Sequence, residues 1–153
     1  MGRKLALLPV ALVALTGCQT APPMAPVDLS QPGWSVKTGQ LLWLPQLGAP
    51  EIAGHILLAS DSSGETFIRF SKEPMEIVLA RQTAAGWDLQ IPAFEKSYGG
   101  RGQPPKRIAW FQLAAAVFGG STSRDWQWQD QSANRWTLVN SKTGERLEGF
   151  FTR

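Results

Sequence analysis

The sequence predicts a mainly β fold of the α+β kind, in which a strongly curved antiparallel sheet wraps one short apolar helix. Two observations point there. From Gly33 onward, short runs with an apolar–polar period of two are punctuated by turn residues, the pattern of half-buried antiparallel strands. The second is residues 108–118, IAWFQLAAAVF, in which Gln112 is the only polar residue. A helix apolar on nearly every side must be buried on nearly every side, and this one is too short to cross a bilayer, which takes about 20 residues. A sheet bent around the helix satisfies both constraints.

The elements follow in chain order. Arg3 and Lys4 precede an apolar run from Leu5 to Leu15, then Thr16, Gly17 and Cys18. That is the order of a secretory signal. As a helix the run reaches about 16 Å, roughly half a bilayer core, so residues 1–17 read as a cleaved signal peptide. Residues 18–32 carry prolines at 22, 23, 26 and 32 and read as a tether of extended character, about 3 Å per residue. Residues 33–153 form the domain.

Within the domain, Trp34 and Val36, then Leu41 and Trp43, show the strand period. EIAGHILLAS, DSSG and ETFIRFSK read as a hairpin, with Gly64 supplying a positive φ and with Thr66, Ile68 and Phe70 opposite Phe67 and Arg69. MEIVLARQT, AAG and WDLQIPAF make a second hairpin, with Ile77 and Leu79 on one side and Trp87, Leu89 and Ile91 opposite. Residues 95–107, EKSYGGRGQPPKR, hold three glycines and two prolines and are expected to lack regular structure. The helix starts after Pro104 and Pro105 and stops at Gly119 and Gly120. DWQWQ, NRWTLVN, SKTG and ERLEGFFT close the chain as a three-stranded meander, for seven or eight strands in all.

Charge and chemistry exclude several functions. Of fifteen basic residues, Arg3 and Lys4 leave with the signal, so thirteen face twelve acidic ones and the formal +3 falls to +1. No clustered positive surface suggests a nucleic-acid partner. His55, the sole histidine, sits among apolar neighbours as a structural or solvent-facing strand residue. There is no G-x-S-x-G elbow, and FGGST surrounds its serine with the wrong residues. Glu73 and Glu76 flank Pro74 as solvated charges, GGRG lacks the lysine of a phosphate loop, and no ligand cluster has metal spacing. The sequence therefore predicts no enzyme, no cofactor and no metal.

Leu15-Thr16-Gly17-Cys18 resembles the bacterial lipobox, in which the cysteine becomes the first residue of the mature protein and carries diacylglycerol and an acyl chain. That would leave no thiol for a disulfide, so stability must come from the core. Two or more chains anchor stably. Gln19 stands where an aspartate would, by resemblance to the enteric sorting rule, favour the inner membrane. The expected location is the outer membrane, lipid-anchored, on the periplasmic side.

The lipobox, the strand from Trp34 to Leu41, GHILL, and the closing RWTLVNSKTGERLEGFF together resemble the LolA/LolB lipoprotein-carrier superfamily, LolB-type receptors in particular. The resemblance implies a half-open barrel, a lipid or lipoprotein acyl chain as ligand, a periplasmic carrier as partner, and a monomer. Seven tryptophans in so small a domain suit either a core or an apolar lining. The candidate lining residues are Trp43, Ile68, Phe70, Leu79, Trp87, Leu89, Trp110, Phe111, Trp126, Trp128 and Trp136. Lys96, Arg101, Lys106 and Arg107 in the 95–107 loop are candidate contacts for anionic head groups. The alternative is a structural or accessory lipoprotein with a filled barrel, which binds a protein partner or a glycan through its surface.

Overall fold

The computed structural model describes residues 24–131 and 134–152. The expected signal segment, Cys18 and the first part of the expected tether lie outside the described residues. Residues 24–32 run without helix or strand into β1 (Ser35–Leu44), which is followed by β2 (Ile52–Ser60), β3 (Thr66–Lys72), β4 (Met75–Gln82) and β5 (Gly86–Ile91). A 3-10 turn over Pro92–Phe94 leads to β6 (Lys96–Arg101), α1 (Ala109–Val117), β7 (Trp126–Asp130), β8 (Arg135–Asn140) and β9 (Arg146–Phe151).

The strands form one antiparallel sheet in the order β6-β5-β4-β3-β2-β1-β9-β8-β7, which does not close. Two meanders, β1 to β6 and β7 to β9, are joined where β1 pairs with β9 over Gly39–Leu44. The helix lies between them in sequence and packs on β2, β3 and β4.

Local chemistry explains the turns. In DSSG, Asp61 Oδ1 accepts hydrogen bonds from Ser63 N and Glu65 N at 2.9 Å, and Gly64 has φ +86°. The Ser63 hydroxyl and these amides hold the Asp61 carboxyl below its ordinary range. In SKTG, Asn140 Oδ1 accepts from Lys142 N and Thr143 N. The helix ends with Gly119 at φ +82° while Gly120 N donates to Ala115 O at 2.7 Å, a Schellman-type stop.

The structure corrects three expectations. Nine strands replace seven or eight, because residues 96–101, expected as loop, are the edge strand β6 paired with β5 from Lys96↔Ile91 to Arg101↔Gly86. Glycines are poor strand formers, but here Gly100 lies under the Trp87 ring, where an added Cβ would come to 3.0 Å from Trp87 Nε1. A large ring covering a cross-strand glycine compensates for the missing side chain. The second correction concerns Leu79. The β3–β4 register shifts between Phe70 and Ser71, so Phe70 faces Val78 while Ser71 faces Glu76. This bulge leaves both Ile77 and Val78 buried and reverses the alternation beyond them. Val78 and Ala80, not Leu79, share the core face with Phe70 and Ile68, and Leu79 points outward opposite Arg69. Third, Val36 is 43% exposed, so the apolar period of β1 starts only at Leu41.

Candidate functional site

The inner face of the sheet, the one that meets α1, is where the aromatics converge. Leu41, Trp43, Ile68, Phe70, Ala80, Leu89, Trp136 and Leu147 reach it by strand alternation and are all buried. From α1, Ala109, Trp110, Phe111, Gln112, Leu113 and Ala114 are buried against it. Trp110 stacks on Phe70 with centroids 5.4 Å apart and meets Trp43 edge-on at 5.1 Å. Phe111 meets Trp87 edge-on at 5.9 Å. These are favoured aromatic geometries, and they fill the centre of the face.

Most polar groups in this interior find partners, as burial demands. Gln112 Oε1 accepts from Ser123 N at 2.7 Å. Trp126 Nε1 donates to Lys106 O at 2.9 Å, and Trp43 Nε1 donates to Glu145 Oε1 at 3.0 Å. Burial pushes the Glu145 carboxyl up to about 7, with the Trp43 indole opposing part of that rise. Among the described residues Trp136 Nε1 is buried without a partner.

The interior has an opening at one end of α1. Beyond the C-terminal end of α1, Trp128, Trp136 and Phe151 form a stack with spacings of 5.6 and 5.3 Å and interplanar angles of 17° and 24°. Lys37 Nζ stands 5.8 Å from the Phe151 centroid, within cation–π range. With Ala116, Val117, Asp130, Asn134 and Thr152 these side chains line a concavity of about 370 Å³. Trp128 and Phe151 are half-buried and so present ring surface there.

Of the eleven candidate lining residues, Trp43, Ile68, Phe70, Leu89, Trp110, Phe111, Trp126 and Trp136 are buried, and Trp87 and Trp128 pack partly exposed against that core. Only Trp128 and Trp136 line the rim. Leu79 stands on the opposite face. The four basic candidates are not gathered: Lys96 and Arg101 sit at opposite ends of β6, whereas Lys106 and Arg107 lie beyond it, just before α1. Sequence reasoning missed Lys37, Val117 and Phe151 at the rim. Phe151 had a signal, the alternation of ERLEGFF, but Lys37 and Val117 come together only through the β1–β9 pairing and the helix.

A larger concavity lies elsewhere. On the outer face, two cross-strand rows, Arg135–Phe150–Gln40–His55 and Thr137–Glu148–Leu42–Ala53, form the floor of a groove of about 700 Å³. Lys72, Glu73 and Gln131 stand at its ends. His55 is exposed here, on the face away from the core.

Among the described residues no group of three or more His, Cys, Asp or Glu could hold a metal ion, and no helix is long and apolar enough to cross a membrane. No model of a known protein family matches the sequence, and no curated protein matches it.

Proposed function

We propose that this chain is a lipoprotein anchored through Cys18 at the periplasmic side of the outer membrane, and that it binds one acyl chain or another apolar ligand at the aromatic rim beside α1. In this reading the open sheet curves around α1 as a LolB-like half-open barrel, and the protein works in lipoprotein or lipid trafficking with a periplasmic carrier. The observation that carries it is the stack Trp128–Trp136–Phe151, which continues the buried core out to an open concavity. At about 370 Å³ that space is at the small end of ligand pockets, about 300–1,000 Å³. It suits a single chain rather than three, because α1 fills the centre of the face.

The test is displacement of a fluorescent fatty acid from the full chain carrying Cys18→Ser. Trp128→Ala should weaken binding by about tenfold, the equivalent of about 1.4 kcal/mol of lost ring contact. Unchanged binding in that variant would remove the rim from consideration.

One observation favours a second reading. The outer-face groove is larger than the rim and offers Gln40, His55, Arg135 and Glu148 beside Leu42 and Phe150. It supports an accessory lipoprotein that contacts a protein partner or glycan through its surface. The variant Phe150→Ala separates the two, since it should leave fatty-acid binding intact under the first reading.

A further inference from the structure

A third concavity, of about 390 Å³, lies between the chain entering α1 and the β8–β9 turn, lined by Pro105, Lys106, Arg107, Asp125, Trp126 and Lys142 among others. We propose that it is an anion site that binds a phosphate group through Lys106, Arg107 and Lys142. Three cations meet one carboxylate there, and the frame that presents them is fixed. Trp126 Nε1 holds Lys106 O at 2.9 Å. Asn140 Oδ1 accepts from Lys142 N and Thr143 N, which sets the turn, and Ser141 N donates to Asp125 O at 2.9 Å, which ties that turn to the start of β7.

The cations are available. Lys106 and Arg107 are exposed and have no side-chain partner among the described residues. Lys142 Nζ is 3.1 Å from Asp125 Oδ2, but the lysine side chain is 65% exposed, and such surface pairs are weak. A phosphate, anionic at neutral pH and rich in acceptor oxygens, competes well for a lysine held that loosely. The proposed set differs from the head-group set expected from the sequence: Lys142, from the SKTG turn, lines the concavity with Lys106 and Arg107, whereas Lys96 and Arg101 do not.

This site is separate from the rim. Pro105 to Arg107 precede α1, whereas Ala116 and Val117 close it, and a nine-residue helix is about 13.5 Å long. The anion site and the rim therefore lie at opposite ends of α1 and share no lining residue, so each is tested by its own substitutions. Its phosphate comes either from an anionic lipid head group or from a free phosphate.

The experiment titrates the full chain carrying Cys18→Ser with inorganic phosphate and, separately, with dihexanoylphosphatidylglycerol, following the Trp126 indole N–H and the Lys142 amide by NMR. Both signals should shift saturably. Tighter saturation by the lipid assigns a head-group source, and equal or tighter saturation by inorganic phosphate assigns a free phosphate; either result upholds the site. The triple variant Lys106→Ala, Arg107→Ala, Lys142→Ala should lose about tenfold or more in affinity, and Asp125→Asn should tighten binding about two- to fivefold by removing the competing carboxylate. Lys96→Ala with Arg101→Ala should bind as the parent does. The proposal is overturned if neither probe shifts these signals, if Asp125→Asn weakens binding, or if the Lys96 and Arg101 variant loses as much as the triple one. Fatty-acid displacement on the same samples reports on the rim separately.

Discussion

Glu145 shows how a single side chain acquires a property that its neighbours in sequence do not encode. Its carboxyl is raised to about 7 by burial, while Trp43, 102 residues away, donates to it at 3.0 Å. A carboxyl whose folded value lies above its unfolded value of 4.5 is held protonated by the native state. The stability it contributes is complete below about pH 4.5 and is lost as the pH rises through 7. The melting temperature of the native chain should therefore fall relative to Glu145→Gln between pH 5 and pH 8; a constant difference across that range would contradict the assignment. Phe70 is the contrasting case, legible from the alternation of FIRF and fully buried between Trp43 and Trp110. Phe70→Ala should cost about 3–5 kcal/mol in chemical denaturation, the range for a large ring removed from a packed core. Alternation reports which residues turn inward, whereas a carboxyl group buried beside a distant indole leaves no local pattern.

The strands and the helix were legible where their own residues decide them. The DSSG and SKTG turns, the helix stop at Gly119 and the C-terminal meander all follow from local side chains. Two elements were decided by neighbours instead. Strand β6 exists because β5 offers it an edge and Trp87 covers Gly100, and the face of Leu79 was reversed by a bulge whose cause lies in the pairing with β3. All six residues of β6 are exposed, so little burial secures it, and elements of that kind open first. Hydrogen exchange of the 96–101 amides should be the fastest among the strands and should accelerate further in Trp87→Ala; protection equal to that of β3 would mean that β6 is held by something other than β5. At the helix end, Gly119→Ala should cost about 1–2 kcal/mol in thermal or chemical denaturation, the penalty of a Cβ in a left-handed conformation.

Across the whole molecule, the two sheet faces differ, and the proposed function rests on that difference. On the inner face α1 packs on β2, β3 and β4 and leaves the rim open, and the outer face carries the larger groove. The sequence indicated a mostly antiparallel β chain with one buried helix. It could not say how far the helix fills the inner face, because a tryptophan in a core and a tryptophan in a lining have the same spacing and composition. That question turns on where the large side chains of the strands and the helix meet in space, and the β1–β9 pairing that joins the two meanders brings them together. The rim is a part of the inner face that α1 leaves uncovered, and the acyl-chain reading depends on it.

Photolabelling with a diazirine-bearing fatty acid, followed by mass-spectrometric mapping of the labelled peptides, addresses that reading most directly. Saturable labelling of peptides containing Val117 and Trp128, suppressed by unlabelled fatty acid, is the expected result. Labelling confined to Leu42 and His55 on the outer face, or labelling that no competitor suppresses, would contradict it.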